Sequence, residues 1–238
     1  MAEPASYARR SFVYRELAAC GARFGGVAGA AVALDFGEPG TERQSLARLG
    51  LCDLSPLPRV GFKGPAALDW LRARRVLGLD RDNRADMQRG GALAARLAPT
   101  EALILGNLTG RGNLCGRLET ALDADPEPGC YKVLRRDGSF HFLLGGMHAA
   151  ETMATLCGVD LRARAFPAGS IAQTSVARMS MIVIAVSLGE IPAFHLLGDS
   201  ASAAYAWGVL VDAMTGFDGK PVGLDAVRDA LGNGAGPG

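Results

Sequence analysis

Apolar side chains follow the chain in short runs separated by turn residues, and the runs differ in period. Two runs, Met179 to Leu188 and Ile191 to Leu197, are almost continuously apolar but contain Ser180, Ser187 and Pro192. Such interrupted runs are typical of buried strands and are too polar for a bilayer span. A helical period follows them, because apolar residues recur at that spacing from 203 to 214. The pattern therefore predicts a mixture of strands and helices.

The segment from Leu57 to Leu71 predicts a strand that turns directly into a helix. The strand pattern ends at Phe62, and Lys63-Gly64 breaks it before an apolar helical stretch begins. Glycine permits a turn that a Cβ would obstruct, and Pro65 suits a first helical position because its missing amide proton is not needed there. A short polar helix is predicted upstream, over 42–50.

Part of the chain repeats itself. Leu103 to Leu122 can be laid on His195 to Met214 without a gap, and each copy predicts a strand that ends in glycine, a polar capping residue and a helix. The capping residues are Asn107 and Asp199. The identical pairs are Leu105 and Leu197, Gly106 and Gly198, Gly116 and Gly208, Leu118 and Leu210, and Ala121 and Ala213.

A looser similarity relates Val60 to Leu71 with Phe142 to Leu156, since both predict strand, glycine and amphipathic helix. Two hairpins are also predicted, Ala92 to Leu97 with Ala102 to Leu105, and Gln173 to Val186 with Ala193 to Leu197. The fold class is therefore α+β, built from two duplicated strand-helix-strand-strand-helix units. We expect a flexible N-terminus over 1–12, a first unit over 13–125, a second over 126–214, and a flexible glycine-rich tail over 215–238.

The composition is that of a globular chain with almost balanced charge. Of 238 residues, 49% are hydrophobic, which is enough to bury a substantial core. Twenty-five basic and 24 acidic side chains give a formal net charge of +1, so no global charge directs the protein to nucleic acid or to a membrane. The N-terminal segment lacks the apolar region of a secretory signal, so we expect a cytoplasmic protein.

Cysteine and histidine supply no metal site in the sequence. The five cysteines are odd in number and scattered without a Cys-x-x-Cys pair, which favours buried free thiols. His141, His148 and His195 are too far apart for a local metal motif. His141 and His195 fall within apolar strands, where we expect structural histidines with hydrogen-bond partners. No catalytic or metal-binding residue is predicted.

The stretch from Val13 to Leu71 resembles the opening of the glycine-cleavage T-protein superfamily, the tetrahydrofolate-dependent aminomethyltransferases and their relatives. Within that group the chain is most similar to the gamma subunits of heterotetrameric sarcosine oxidase and of the related N-methylglutamate dehydrogenase. Its second half carries the more specific part of the likeness, namely Asp160-Leu161, Phe166-Pro167-Ala168-Gly169, Gln173-Thr174 and Tyr205-Ala206-Trp207. The resemblance implies an aminomethyltransferase folate-binding-like fold.

For the aminomethyltransferases the resemblance implies a Gly-Gly-x-x-Asp-Asp segment. One of its carboxylates is expected to accept the proton from, or to hold, the folate nitrogen that receives the one-carbon unit. Here the glycine pair is Gly90-Gly91, but Ala94 and Ala95 stand about where the acids fall, and 87–100 contains no Asp or Glu. An acid could come from elsewhere, and the candidates are Asp82, Asp86 and Glu101.

The resemblance implies a gamma-type subunit that is not catalytic by itself, in a heterotetramer with alpha, beta and delta subunits that oxidatively demethylates a secondary N-methyl amino acid. FAD, FMN, NAD and tetrahydrofolate are then implied on the partner subunits, and none on this chain. One alternative is a stand-alone folate-dependent aminomethyltransferase or demethylase. Another is a folate-binding iron-sulfur or tRNA-modification factor, for which Gly129-Cys130-Tyr131 is the only support.

An arginine-rich run lies between Leu71 and Gly90 and has two interpretations. A solvated surface is the usual one, and a protein interface is the other, because arginine is enriched at interfaces. The arginines are Arg72, Arg74, Arg75, Arg81, Arg84 and Arg89.

Overall fold

The computed structural model describes residues 4–37 and 39–232, without the side chain of Pro39. Its helices are α1 (Tyr14–Ala19), α2 (Pro39–Leu49), α3 (Ala67–Ala73), α4 (Leu114–Ala124), α5 (Arg135–Gly138), α6 (Ala149–Ala154), α7 (Ala203–Met214) and α8 (Leu224–Gly232). Its strands are β1 (Arg23–Val27), β2 (Ala30–Asp35), β3 (Gly50–Asp53), β4 (Arg59–Lys63), β5 (Arg84–Met87), β6 (Leu93–Ala98), β7 (Glu101–Leu105), β8 (Tyr131–Val133), β9 (Ser139–Gly145), β10 (Ile171–Val176), β11 (Met179–Leu188), β12 (Ile191–Asp199) and β13 (Lys220–Pro221). No described helix is long and apolar enough to cross a membrane.

The chain forms two compact units whose segments alternate along the sequence. Unit 1 comprises 1–56, 139–168 and 172–238, and unit 2 comprises 57–138 and 169–171. This corrects the predicted division between 125 and 126. The reason is long-range strand pairing, because β3 joins β9 in unit 1 while β8 joins β4 in unit 2. Pattern along the chain does not reveal which distant strands pair.

Unit 2 is built on a five-stranded sheet in the order β5-β6-β7-β4-β8. The β6–β7 hairpin is antiparallel, as predicted, with Ala94 opposite Ile104. Apolar residues of α3 and α4 pack against one face of the sheet and form the core of the unit, which includes Val60, Phe62, Leu68, Trp70, Leu71, Ala94, Ile104, Leu118 and Leu122. Fully burying one such large side chain contributes about 1.5–3 kcal/mol.

Unit 1 is built on a six-stranded sheet in the order β10-β11-β12-β9-β3-β13, with β1 and β2 as a separate hairpin. The predicted strand from Gln173 to Val186 is two strands, because the chain turns at Ala177 and Arg178, where φ is +48° and +66°. Side chains of α6 and α7 pack on one face, and the core they share with the sheet includes Phe140, Phe142, Leu144, Met153, Val183, Phe194, Leu196, Trp207 and Leu210.

The two sheets repeat one arrangement, which confirms the predicted duplication. The order β10-β11-β12-β9-β3 in unit 1 corresponds to β5-β6-β7-β4-β8 in unit 2. The register agrees as well, since Arg59 pairs with Leu105 and His141 pairs with Leu197, the two leucines matched by sequence. Each copy runs strand, helix, two-stranded hairpin and helix, with an additional strand, β5 or β10, before the hairpin.

The segments 4–12 and 215–232, which the structure describes, are more ordered than predicted. Leu224 and Val227 of α8 have no exposed surface, and the Gly223 N–H donates to Glu42 Oε2 at 2.8 Å. The flexible tail expected over 215–238 is therefore wrong for 215–232, while 233–238 lie outside the described residues. Near the N-terminus Ser11 is buried, and its Oγ accepts from the Val13 N–H at 3.0 Å. The flexible segment predicted over 1–12 is therefore packed at Ser11, and residues 1–3 lie outside the described residues.

Candidate functional site

The glycine pair of the family resemblance lies at the tip of the β5–β6 hairpin in unit 2. Gly90 and Gly91 have φ values of +93° and +79°, which favour glycine. Gln88 closes the turn, because its C=O accepts from the Gly91 N–H at 3.0 Å and its N–H donates to the Ala92 C=O at 2.7 Å. Asn107 Nδ2 also donates to the Gly90 C=O at 2.6 Å. The hairpin by itself accounts for both glycines.

Ala94 and Ala95 lie just beyond that turn, on β6, and neither has exposed surface. Ala94 belongs to the core of unit 2, and Ala95 points to the other face of the sheet, opposite Ala85 and Leu103. A methyl group cannot accept a proton. The position expected for the family's carboxylates is thus occupied by two small buried side chains.

The three acids that could replace them are placed differently. Asp82 Oδ1 accepts from Arg96 Nε at 2.6 Å, and Glu101 accepts from Arg135 at 2.6 Å and lies 3.1 Å from Lys63 Nζ. These two carboxylates are therefore engaged in ion pairs. Asp86 is exposed and stands directly opposite Ala94 in the β5–β6 register. It is the one of the three candidates that is both exposed and next to the expected position.

The two residues predicted to cap helices form the same turn in both copies. Asn107 Oδ1 accepts from the Thr109 N–H and Asp199 Oδ1 accepts from the Ala201 N–H, each at 2.8 Å and each two residues ahead. Asp199 caps the single 3₁₀ turn before α7. In unit 2 the cap of α4 is instead Asn113, whose Oδ1 accepts from the Gly116 N–H at 3.1 Å. Both acceptors are thus structural.

Two of the three histidines meet on adjacent strands of unit 1. His141 Nε2 and His195 Nδ1 are 2.8 Å apart, and the residues are only 2% and 3% exposed. Burial lowers the pKa of His195 from 6.5 to about 4, so it is neutral near pH 7. One ring donates its N–H and the other accepts. This confirms the expectation of hydrogen-bonded structural histidines, although their pairing was not predicted.

The third histidine lies elsewhere. His148 Nδ1 is 2.7 Å from Glu151 Oε2, and its ring stacks on Phe217 with 4.7 Å between centroids. Within residues 4–37 and 39–232, no three His, Cys, Asp or Glu side chains group closely enough to hold a metal ion.

Four of the five cysteines are buried, as predicted, and Cys20 is exposed. Burial raises the pKa of Cys115 to about 12 and also raises the pKa values of Cys52 and Cys130. Since the thiolate is the reactive form, these thiols are poor nucleophiles. Cys130 is 5% exposed and belongs to the core of unit 2, which removes the only support for the iron-sulfur or tRNA-modification alternative.

Two arginines of the arginine-rich run make contacts within unit 2. Arg72 donates to Asp69 at 2.7 Å and to the Leu79 C=O at 2.6 Å, and Arg74 lies over the ring of Trp70, 3.8 Å from its centroid. Such contacts indicate that these side chains brace the end of α3. Three further exposed members, Arg75, Arg81 and Arg89, are compatible with either interpretation.

The sequence pattern did not predict that Arg59 is fully buried. Arg59 donates Nε to the Arg135 C=O at 3.1 Å, Nη2 to the Arg136 C=O at 2.8 Å, and Nη1 to the Leu57 C=O at 3.2 Å. Its counterpart in the other copy is His141, which is also buried and polar. The shared polar position within the aligned strands was the one signal that could have identified both residues.

Unit 1 also contains an apolar groove of about 320 Å³ beside the start of α6. Its charged lining residues are already engaged, because Glu151 contacts His148 and Arg162 donates to Asp160 at 2.7 Å. The groove thus offers apolar surface without a convergent catalytic set. Among its lining residues are Met147, Leu161, Ala163, Phe166, Val186 and Phe194.

Comparison with known proteins identifies the fold. The glycine cleavage system aminomethyltransferase T from Bartonella henselae is similar with a TM-score of 0.73 and 18% identity, over 94% of this chain and 62% of that one. A chain of the heterotetrameric sarcosine oxidase from Corynebacterium sp. U-96, in complex with pyrrole 2-carboxylate, is similar with a TM-score of 0.61 and 20% identity, over 76% of this chain and 93% of that one.

The predicted aminomethyltransferase-type fold is therefore confirmed. The chain spans less than two thirds of the aminomethyltransferase and nearly the whole length of the sarcosine oxidase chain. No protein-family model matches the sequence, and no curated protein sequence matches it.

Proposed function

We propose that this chain is a subunit without catalytic activity of its own in a cytoplasmic, flavin-dependent complex of the heterotetrameric sarcosine oxidase type. The observation that carries the proposal is the pair of buried methyl groups, Ala94 and Ala95, where the related aminomethyltransferases are expected to hold carboxylates. Two of the three alternative acids are held by arginine. The residues present therefore do not fit folate-dependent transfer by the expected route.

The length of the match supports the same proposal. The similarity extends over 93% of the sarcosine oxidase chain. A chain with the fold, but without the acid, is suited to a structural task. In this proposal FAD, FMN, NAD and tetrahydrofolate belong to partner subunits, and the complex oxidises a secondary N-methyl amino acid.

The test is purification of the tagged chain from its native host. We expect a complex of fixed stoichiometry that carries flavin absorbance and oxidises sarcosine or N-methylglutamate, while the isolated chain turns over neither. Turnover by the isolated chain, abolished by changing one acidic residue, would contradict the proposal. So would a native chain that runs as a lone monomer without flavin.

A second candidate is a folate-dependent aminomethyltransferase, favoured by the exposed carboxylate of Asp86 opposite Ala94. It predicts that the isolated chain binds tetrahydrofolate in a calorimetric titration and that Asp86→Asn abolishes the transfer. Asp229→Asn, a substitution at an exposed position of α8, is the matched control. Absence of binding at millimolar tetrahydrofolate would remove this candidate.

A further inference from the structure

The two large sheets have four edge strands, and at two of them a neighbouring segment of the chain bonds to part of the edge. At β5 the Ala85 N–H donates to the Gly169 C=O at 2.8 Å. At the end of β10, Val176 forms a bridge with Cys157, and the Ala177 N–H just beyond the strand donates to the Leu156 C=O at 2.9 Å. The third edge strand, β13, is only two residues long and includes Pro221, which has no N–H. Short, proline-bearing or covered edges are the usual protection against pairing with another chain.

The fourth edge strand, β8, is also short, at three residues, but it contains no proline. Tyr131, Lys132 and Val133 pair with β4, and within the described chain no backbone hydrogen bond is made on the outer side of β8. Large apolar side chains remain in solvent here, because Tyr131 is 65% and Leu134 72% exposed. An uncovered edge strand that presents apolar side chains is a template for an added strand.

The other copy shows what such an edge can accept. Tyr131 of β8 pairs with Lys63, which precedes Gly64, and Gly50 of β3 pairs with Gly145, which precedes Gly146. Because Gly64 and Gly146 are equivalent in the two copies, β8 corresponds to β3. The outer side of β3 is covered by β13 in parallel pairing.

The hydrogen bond that holds β13 identifies the groups available on β8. The Val222 N–H donates to the Leu51 C=O at 3.0 Å. Leu51 is the counterpart of Lys132, because it pairs with Leu144 as Lys132 pairs with Phe62. By the alternation of an antiparallel ladder, the N–H and C=O of Lys132 therefore point away from β4.

The charges around β8 favour a neutral occupant. Lys132 Nζ lies 2.6 Å from Asp123 Oδ2, Arg135 lies 2.6 Å from Glu101, and Arg136 lies 2.8 Å from Glu119. Lys63, which pairs with Tyr131, shares the Glu101 carboxylate with Arg135. Three carboxylates thus balance all but one of the four cations, and the edge complements an uncharged, apolar segment better than a basic one.

We propose that β8 accepts a short, extended apolar segment of a partner subunit as an additional parallel strand. Its backbone bonds the N–H and C=O of Lys132, and its side chains pack on Tyr131 and Leu134. The origin of the segment in a partner subunit rests on the function proposed above. The arrangement repeats in trans what β13 does for β3 within the chain.

The experiment compares two pairs of exposed apolar residues at opposite ends of the unit 2 sheet. Tyr131→Ser with Leu134→Ser removes the anchors at β8, and Leu77→Ser with Met87→Ser, at positions 53% and 57% exposed, is the control. We expect the first pair to weaken assembly with the flavin-binding subunits about tenfold or more, and the control to change it less than about twofold. Equal thermal midpoints of the free chains exclude unfolding as the cause.

A second pair of variants tests the backbone bond. Lys132→Pro removes the outward N–H, whereas Lys132→Ala removes only the side chain and its contact with Asp123. We expect Lys132→Pro alone to weaken assembly, and the amide of Lys132 in the wild type to exchange more slowly with deuterium in the complex.

The outcomes distinguish failure of the β8 proposal from failure of the proposed function. If the wild type forms the flavin-containing complex but the Tyr131 and Leu134 variant assembles equally well, with unchanged exchange at Lys132, the edge proposal is overturned and the proposed function stands. Equal weakening by the control pair also overturns it. If the wild type forms no such complex, the proposed function fails and the partner segment with it.

Discussion

The His141 and His195 rings form a polar contact inside an otherwise apolar part of unit 1. Leu143 and Leu197, their neighbours on the same face of the sheet, have almost no exposed surface. The backbone N–H of His141 donates to Ser55 Oγ at 3.0 Å. Because the two rings satisfy each other while neutral, the pair is compatible with burial, and a proton added to either ring would be desolvated.

We predict that acid destabilises the fold through His195. Its pKa is lowered from 6.5 to about 4 by burial, so between these pH values the unfolded chain binds a proton that the folded chain does not. The contribution is fully present above pH 6.5 and is lost as the pH falls towards 4, by about 3 kcal/mol in total. Urea unfolding at pH 7 and at pH 4 measures the difference.

His195→Gln should lose most of this pH dependence, because glutamine does not titrate. His148→Gln is the control, since His148 lies at the surface beside Glu151. Equal pH dependence in the wild type and in His195→Gln would show that the buried pair is not responsible.

At the scale of elements, each copy turns from strand to helix through one glycine. Gly64 and Gly146 have φ values of +126° and +125°. The turn also brings the helix against a passing backbone, because the Ala66 N–H donates to the Gly129 C=O at 3.0 Å and the His148 N–H donates to the Arg48 C=O at 3.2 Å. Two segments with different sequences thus share one junction.

We predict that alanine at either glycine destabilises the fold strongly. A Cβ on Gly64 or Gly146 would lie within 2.4 Å of a backbone carbonyl oxygen, in a conformation that alanine rarely adopts. The expected loss is about 3 kcal/mol for each substitution, from strain and from displaced backbone. Chemical denaturation of Gly64→Ala and Gly146→Ala measures it.

Gly158→Ala is the control for this pair, because a Cβ there would meet no atom within 4 Å. It should alter the free energy of unfolding by no more than about 0.5 kcal/mol. Losses below about 1 kcal/mol at Gly64 and Gly146 would contradict the junction geometry.

At the scale of the whole molecule, four of the five thiols are buried, two in each unit. Cys115 and Cys130 belong to the core of unit 2, and Cys157 belongs to the core of unit 1. Cys52 is 1% exposed on β3. Thiol reactivity therefore reports on the folding of both units at once.

We predict that a thiol reagent modifies one cysteine of the native protein rapidly and all five after denaturation. The rapid one is Cys20, because it alone is exposed, and Cys20→Ser should leave no fast phase. Titration with a chromogenic disulfide at pH 8 counts the reacting groups. Rapid modification of Cys130 would contradict its burial and revive the iron-sulfur alternative.

Sequence and structure agree best where the information is local. The strand, glycine and helix at 59–73 were predictable because Gly64 and Pro65 constrain the backbone where they stand. The repeat was predictable because equal burial in the two copies selects similar residues. The missing carboxylates after Gly90-Gly91 were visible without a structure, since their absence is a property of composition.

The sequence by itself therefore determined the strand, glycine and helix that open each copy, the duplication, and the absence of an acid from 87–100. Only the tertiary structure decided that β3 leaves the first half to join β9, that His141 meets His195, that Asp82 and Glu101 are held by arginine, and that β8 remains an open edge. The physical reason is that turns and periodicity act between neighbours in sequence, whereas strand pairing, burial and ion pairing join residues that only the folded chain brings together.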